Sequence, residues 1–214
     1  MSRNKYPEET YELILNVSTK LFIEKGYDNT SLNDIINNLG GLTKGAIYHH
    51  FKSKEEILIA VVNKIGNANA ESMLLIRDDS TLNGKEKLEK MFSVSLNNSK
   101  QEDLFSFMPN LLDNPTFLAY YLKFLFSETI PLYMVPVIKE GTRDGSISTD
   151  YPEELASMIM FLTDVWLNPL ILKMTNEEII RKAKLTNSLL EPVGIKIFNE
   201  ELFNRLSIYN NKIK

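Results

Sequence analysis

The chain has 214 residues, of which 43% are hydrophobic and 24% are charged, as in an ordinary soluble globular protein. It contains no cysteine, which excludes a disulfide framework and thiol catalysis and fits a reducing compartment. The formal net charge of −4, taken alone, argues against nucleic acid as a partner. The first residues lack the uninterrupted apolar core of a signal peptide, and the most apolar stretch, 117–138, is interrupted by Lys123, Glu128 and two prolines. We therefore expect no membrane span and a cytoplasmic location.

The charge is unevenly distributed along the chain. Residues 1–54 carry seven Lys/Arg against six Asp/Glu, whereas the remaining residues carry 17 against 22. Residues 35–54 contain no acid, but they contain three lysines and both histidines of the chain. A locally basic segment attached to an acidic body is typical of a DNA-reading module joined to a separate sensor.

Helical periodicity dominates the chain, and no sustained alternation of apolar and polar residues indicates a strand, so an all-α fold is predicted. Gly26 ends the first helix, Thr30 or Ser31 caps the second, and Gly40-Gly41 breaks the chain before the third. The predicted helices cover about residues 7–25, 32–39, 43–51, 53–75, 85–98, 102–108, 114–145, 150–173, 176–190 and 200–212.

Prolines and a polar stretch punctuate the part of the chain that follows the fourth helix. Pro131 and Pro136 are predicted to kink the long helix that begins at residue 114. Pro169 is predicted to bend the end of helix 150–173. The polar stretch 78–84 marks the predicted internal boundary.

A helix, a two-glycine turn and a short helix form the layout of a DNA-binding helix-turn-helix. On a helical wheel of the third helix, Ile47 and Phe51 point inward, whereas Gly45, Tyr48 and His49 point outward. Lysine can donate to guanine O6 and N7, and a tyrosine hydroxyl suits a phosphate. The starts of the flanking helices, at Ser31, Ser53 and Lys54, expose N–H groups that attract phosphate.

This segment resembles the TetR-type repressors over about residues 11–58. The matching residues are Ile14, Leu21-Phe22, Gly26-Tyr27, Thr30-Ser31, Asp34-Ile35, Thr43-Lys44-Gly45, Tyr48-His49-His50-Phe51-Lys52 and Lys54. The resemblance implies DNA contacts from the third helix and from the starts of helices two and four. It also implies a helical ligand-binding domain and a dimer formed by helices 153–173 and 176–190. The DNA-contact candidates are Ser31, Asn33, Thr43, Lys44, Gly45, Tyr48, His49, Lys52 and Lys54.

Two features depart from the family pattern. The turn Gly40-Gly41-Leu42 looks one residue longer than usual, which bears on the angle of the recognition helix. Ile36 and Leu39 replace small alanines, which would set helices two and three slightly further apart.

Structural interpretations stand beside these functional ones. Tyr48 could cover the edge of the small helical core, and the lysines could be ordinary solvated surface. His50 lies near the inner face of its helix, where a structural role is favoured over a phosphate contact.

A second candidate site lies in an aromatic segment. Eight of the 21 aromatic residues fall between positions 105 and 133, and Asp113 and Lys123 are the only formal charges between 104 and 127. Plain core explains any one of these side chains, whereas the functional interpretation is a cavity for a small apolar or aromatic effector. The candidate lining is Phe105, Met108, Tyr120, Tyr121, Phe124, Tyr133 and Trp166.

We therefore expect a ligand-responsive DNA-binding repressor, with activation as the variant. Residues 1–54 form the helix-turn-helix head, and residues 55–214 form the ligand-binding and dimerisation domain of a homodimer. Its self-complementary surface is predicted from the apolar residues Leu155, Ile159, Leu162, Trp166, Ile179, Ile180 and Ala183.

Two other classes of function were compared with this one. The first is an all-helical enzyme. Against it, the chain has no cysteine, and its two adjacent histidines form no Glu-x-x-His or His-Glu-x-x-His metal pair. No catalytic residue, metal or cofactor is therefore predicted. A helical adaptor that binds a protein through its acidic C-terminal part would leave the basic first 54 residues unexplained.

Overall fold

The computed structural model describes residues 7–212, and within this range all regular structure is helical. Residues 1–6, which carry part of the signal-peptide and charge arguments, lie outside the described range together with residues 213–214. The α-helices are α1 Pro7–Lys25, α2 Leu32–Asn37, α3 Lys44–His50, α4 Lys54–Arg77, α5 Gly84–Leu96, α6 Ser99–Phe107, α7 Pro115–Asp144, α8 152–166, α9 Asn176–Leu190 and α10 Glu200–Lys212. The all-α prediction is confirmed, and α1, α9 and α10 have the predicted bounds.

Helix α8 ends seven residues earlier than predicted. Its last hydrogen bond joins Leu167 N to Leu162 O, and the following turn is held by Asn168, whose carbonyl accepts from Ile171 N and Leu172 N. A residue that precedes a proline disfavours the helical conformation, and Asn168 precedes Pro169. The proline therefore follows the helix instead of bending its end.

A side-chain cap and glycine turns explain where the first three helices begin or end. Gly26, which ends α1, has φ +82°. Ser31 caps α2 by accepting a hydrogen bond from Asp34 N, while the Asp34 carboxylate accepts one from Ser31 N. Gly40 and Gly41 both have positive φ, at +62° and +97°, so the turn before α3 depends on the freedom of glycine.

The head is not packed as a separate body. The hydrophobic core around α1–α4, which includes Phe22, Ile35 and Ile47, also includes Phe107 of α6 and Phe117 of α7. The backbone joins the same parts, because Tyr27 N donates to Phe107 O at 3.1 Å. The division into residues 1–54 and 55–214 is thus a proposed division of function, across which the core is continuous.

The second hydrophobic core lies between the end of α4, α5 and helices α7–α10. Ile76 of α4 and Leu88 of α5 belong to it together, so the stretch 78–84 is a turn within one core and the predicted internal boundary there is wrong. At the end of this turn Gly84 lies so close to α7 that a Cβ atom there would be 2.2 Å from Gly141 N.

Helix α7 passes through both prolines without a break. It is α-helical over Pro115–Phe124, π-helical over Leu125–Met134 and α-helical again over Val135–Asp144. Pro131 lies in the π-helical segment, and Pro136 lies in the first turn after it. Widened turns thus accommodate residues that cannot donate a backbone hydrogen bond.

Among the described residues, α7 is also the helix that is long and apolar enough to cross a membrane by length and composition. Lys123, Glu128 and two prolines still interrupt its apolar run, so the absence of a membrane span stays a prediction. A single helix of this kind is weak evidence, because core helices of soluble proteins pass the same test.

Candidate DNA-binding site and effector region

Helix α3 presents one face to solvent and one to the core, as its sequence predicts. Ile47 and Phe51 are buried, whereas Lys44, Gly45 and His49 are exposed. Tyr48 is 45% exposed, which argues against a role in covering the edge of the core. The Lys44 ammonium lies 5.7 Å from the centroid of the Tyr48 ring, so both side chains share the outer face.

Gly45 and Thr43 leave room on this outer face. A Cβ atom at Gly45 would meet only the Thr43 hydroxyl oxygen, at an ordinary distance of 3.7 Å. The fold therefore does not require a glycine there, but a partner that approaches the helix backbone closely would. Thr43 is the N-cap of α3, yet its exposed side chain makes no capping hydrogen bond.

Ser31 and Asn33, at the start of α2, are both exposed beside this face. The Ser31 hydroxyl donates to Asp34 Oδ2 at 2.5 Å, and Lys25 Nζ donates to the other carboxylate oxygen, Asp34 Oδ1, at 3.0 Å. Hydrogen bonds from Ser31, followed by the one from Lys25, hold the pKa of Asp34 well below its usual range. Ser31 is thus fixed in place by the helix that it caps.

Lys52 and Lys54 have different surroundings although both were predicted to contact phosphate. Lys52 is exposed, whereas Lys54 is half-buried and its ammonium donates to Tyr27 O at 2.9 Å. The same ammonium lies 4.0 Å from the centroid of the Tyr27 ring. Burial lowers the pKa of Lys54, and the charges of Asp28 and Glu55 oppose that shift. Lys54 therefore connects α4 to the end of α1.

His50 faces inward, in agreement with a structural role. Its Nε2 atom is buried without a hydrogen-bond partner, and the Tyr11 ring lies edge-on to the imidazole with 6.1 Å between centroids. Burial lowers the pKa of His50, with a smaller contribution from the neighbouring His49. The imidazole is therefore favoured in its neutral form.

The seven predicted effector residues do not share one surrounding. Phe105 packs against Tyr209 of α10 with 5.0 Å between centroids, and Phe124 is exposed. Tyr120 and Tyr121 lie deeper: Tyr120 donates to Asn63 Oδ1 of α4 at 2.5 Å, and Tyr121 OH lies 3.2 Å from Asp164 Oδ1 of α8. The other three, all half-buried, are Met108, Tyr133 and Trp166.

Two surface grooves are present elsewhere in the molecule. One, of about 490 Å³, lies between α1 and α4, and the other, of about 280 Å³, lies between α5 and the segment before α10. Neither is lined by a predicted effector residue. The aromatic lining thus stays a prediction.

The sequence reasoning did not single out Asp164. A signal was present, because Asp164 is the only formal charge between residues 155 and 172. A single acid in an otherwise uncharged, apolar stretch is as strong a signal as an aromatic cluster, since burying it is costly.

The predicted dimer surface is wrong at several positions. Leu155, Ile159, Ile179 and Ala183 are buried in the core of the chain itself and cannot face a second copy. An amphipathic pattern identifies an apolar face but not what covers it. The exposed large apolar residues of the same two helices are Met158, Phe161, Leu185 and Leu189.

Comparison with known proteins places these features in a family. Residues 14–61 match the model described as "Bacterial regulatory proteins, tetR family". The chain is 30% identical over 160 residues to the HTH-type transcriptional repressor KstR2 of Rhodococcus jostii, covering 71% of this chain and 73% of that protein. The chain belongs to the TetR family of transcriptional regulators. This family consists of regulators, which excludes the enzyme alternative.

Two further proteins are similar to this TetR-family regulator over different shares of their length. An uncharacterized HTH-type transcriptional regulator in the lacX 3′ region of Lactococcus lactis is 39% identical over 88 residues, which cover 39% of this chain and only 44% of that protein. A TetR-family regulator of Pectobacterium atrosepticum has a similar structure with a TM-score of 0.62 at 22% identity, covering 92% of this chain and 100% of that one. The first likeness spans less than half of the relative, and the second shows the fold.

All nine DNA-contact candidates lie within the matched residues 14–61. The effector candidates all lie beyond them.

Proposed function

We propose that this TetR-family regulator is a cytoplasmic homodimeric repressor that binds a two-fold operator through α3 and releases it when a small molecule binds the C-terminal part. The observation that carries the DNA-binding role is the outer face of α3. It is basic and exposed, and it is backed by Ile47 and Phe51 in the core.

The side chains of this face suggest separate roles in a major groove. Lys44 and His49 can donate to base edges, while Tyr48 and the exposed Lys52 suit phosphates. Gly45 lets the helix backbone come close to the DNA. The remaining short polar candidates, Ser31 and Asn33 at the start of α2 and Thr43 at the start of α3, suit the sugar-phosphate backbone. We assign Lys54 no DNA contact, because its ammonium donates to Tyr27 O.

Reading two half-sites requires two recognition helices about 34–36 Å apart, and hence two copies of the chain. Met158 and Phe161 of α8 lie exposed, as do Leu185 and Leu189 of α9. Exposed apolar side chains on neighbouring helices are typical of an association surface. We therefore propose that these four residues take the place of the four buried ones at the two-fold interface. The other predicted residues, Leu162, Trp166 and Ile180, are half-buried and stay candidates.

A route from the C-terminal part to the head is visible in the contacts of α7. Tyr120 of α7 donates to Asn63 of α4, and α4 begins at the DNA-facing side. The core shared by α1, α6 and α7 prevents α7 from moving alone, because packed interiors transmit displacement. A ligand that shifts α7 would thereby change the separation of the recognition helices, with a coupling of about 1–3 kcal/mol.

The DNA-binding role is tested by gel shift with the DNA upstream of the protein's own gene. Lys44→Ala should lose about 1–3 kcal/mol of specific binding, because one base contact is lost. Lys20→Ala is the matched control, since Lys20 is an exposed lysine on α1 that pairs only at 3.8 Å with Glu24. Equal loss of affinity in both variants would contradict the assignment of α3, and in vitro transcription from the same DNA distinguishes repression from activation.

A further inference from the structure

The carboxylate of Asp164 lies inside the C-terminal part without a cationic partner. It sits in the π-helical turn Leu162–Trp166 of α8, opposite Tyr121 of α7. Among the ion pairs of the described residues, no lysine, arginine or histidine pairs with it. A charged carboxylate away from water normally requires such a partner, because the cost of dehydration is large.

Asp164 and Tyr121 have an unusual combination of depth and accessibility. Loss of hydration is the largest influence on both groups and raises the pKa of each. Both nevertheless keep part of their surface accessible and are only half-buried by area. The pair therefore combines a strong loss of hydration with residue surface that is still partly accessible.

The hydrogen bonds around the carboxylate leave it short of donors. Thr163 Oγ1 lies 2.8 Å from Asp164 Oδ2, but its single proton is also within reach of Ile159 O at 3.0 Å. The Tyr121 hydroxyl is equally close, at 3.2 Å, to the carboxylate and to the backbone carbonyl of Asp164. Thr163 Oγ1 also lies 3.5 Å from Met160 O. Two hydroxyl protons thus serve five acceptors, and each hydroxyl can donate only once.

Asn168 shows which way the tyrosine proton points. Its side-chain Nδ2 donates to Tyr121 OH at 3.4 Å and to Asp164 O at 3.0 Å. An oxygen that accepts from Asn168 keeps its own proton for Asp164. The cluster of Tyr121, Thr163, Asp164 and Asn168 therefore leaves the Asp164 carboxylate with unused acceptor capacity.

We propose that Asp164 recognises the positive charge of the effector, which is an organic cation: a protonated amine on an apolar or aromatic body. This inference rests on the proposed function and changes the predicted effector from purely apolar to cationic. An ammonium group would supply both the missing charge and the missing donors, and a carboxylate beside aromatic rings binds such groups well. π-helical turns of this kind recur at functional sites.

The neighbouring lysine does not meet this need. Lys182 Nζ donates to Trp166 O at 3.1 Å and lies 5.0 Å from the centroid of the Trp166 ring. Besides its burial, the groups that influence the pKa of Asp164 are Thr163 and Tyr121. Lys182 is thus held at the face of Trp166, and the carboxylate is left for the ligand.

Trp166 supplies the signal for the test, because it is the only tryptophan of the chain and lies two residues from Asp164. The probes are phenylbutylamine, phenylbutanol and phenylbutyrate, which share a body and are cationic, neutral and anionic at neutral pH. The full-length protein is titrated with each while tryptophan fluorescence is followed. We expect the amine to bind at least about tenfold more tightly than the alcohol, and the acid to bind least.

The variant Asp164→Asn removes the charge and keeps the shape. It should lose about 10–100-fold in affinity for the amine and change little towards the alcohol. Asp150→Asn is the matched control, because Asp150 is an exposed aspartate just before α8. Circular dichroism and melting establish that both variants fold, and the preference of the wild type for the amine is informative even without a variant.

The outcomes separate this inference from the proposed function. Equal binding of amine and alcohol, a preference that survives Asp164→Asn, or no saturable signal at about 1 mM of any probe would overturn it. Gel shifts with the same probes measure operator release independently. Charge-selective binding without operator release supports the cation site and contradicts the proposed role of the effector, whereas failure to bind DNA contradicts the proposed function alone.

Discussion

Gly45 occupies a helical position at which the fold itself accepts a side chain. A Cβ atom would lie 3.7 Å from the Thr43 hydroxyl, and glycine within a helix is less stable than alanine by roughly 0.5–1 kcal/mol. Gly45→Ala should therefore melt at the same or a higher temperature than the wild type. It should nevertheless weaken operator binding, because the methyl group enters the space between α3 and DNA. Unchanged affinity in gel shifts would show that the DNA does not approach this backbone.

Replacement of Lys52, just before α4, and of Lys54, its first residue, should have different effects. Lys54→Ala deletes the donor to Tyr27 O and the contact with its ring, so it should cost about 1–2 kcal/mol of unfolding free energy. Lys52→Ala should leave stability unchanged and flatten the salt dependence of DNA binding by roughly one phosphate contact. Urea denaturation and salt titrations measure both effects. If Lys54→Ala keeps its stability and its DNA binding depends less on salt, the result would instead show that Lys54 contacts a DNA phosphate.

These residues also show what periodicity alone could predict. The outward position of Tyr48 and His49 follows from the inward position of Ile47 on the same short helix, which ends directly before the buried Phe51. The partner of Lys54 lies 27 residues away in the chain, so no local pattern indicates it.

At the scale of elements, helix ends were predictable where a cap is encoded locally. Thr175 opens α9 by accepting from Glu178 N, and the Glu178 carboxylate accepts from Thr175 N in return. The end of α8 was not predictable, because it depends on the turn that Asn168 forms. The π-helical segments of α7 and α8 have no comparable sequence signal beyond the presence of Pro131.

The exposed faces of α8 and α9 lead to a prediction about association. Phe161 is 50% exposed and lies on the proposed two-fold surface, so Phe161→Glu should convert the dimer to a monomer at about 10 µM without loss of helix content. Leu75→Glu is the control, because Leu75 on α4 is 68% exposed and lies outside that surface. Light scattering gives the mass of each. A wild-type monomer, or a dimer that both variants retain, would contradict the proposed interface.

At the scale of the whole molecule, the uneven charge predicted a DNA-binding part and a separate sensor part. It did not predict that the hydrophobic core of the head continues into the rest of the chain. The basic first 54 residues and the acidic remainder are visible in the sequence. The sequence does not show that Phe107, Phe117 and Leu170 complete the core of the head, because these residues lie far from it along the chain. We propose that such contacts carry the communication between an effector and DNA.

The link between Tyr120 and Asn63 allows that communication to be tested without replacing a DNA-contact candidate or Asp164. Tyr120→Phe removes the hydroxyl that donates to Asn63 but keeps the ring, which stacks on Phe117 with 6.1 Å between centroids. The variant should therefore fold and bind operator nearly as well as the wild type. Because α7 then holds α4 less firmly, an effector bound near Asp164 should release the operator less completely.

The expected loss of coupling follows from the free energy of the hydrogen bond between Tyr120 and Asn63. A hydrogen bond contributes about 0.5–1.5 kcal/mol, so the ratio of operator affinities with and without phenylbutylamine should fall by roughly 2–10-fold in Tyr120→Phe. Coupling is reciprocal, and operator DNA should change the affinity for the amine by the same reduced factor. Tyr151→Phe is the control, since Tyr151 is 68% exposed, lies outside α7 and is not a predicted effector residue. If Tyr120→Phe keeps full coupling, or if Tyr151→Phe loses as much, the signal reaches the head by another route, of which the contact between α6 and Tyr27 is the next candidate.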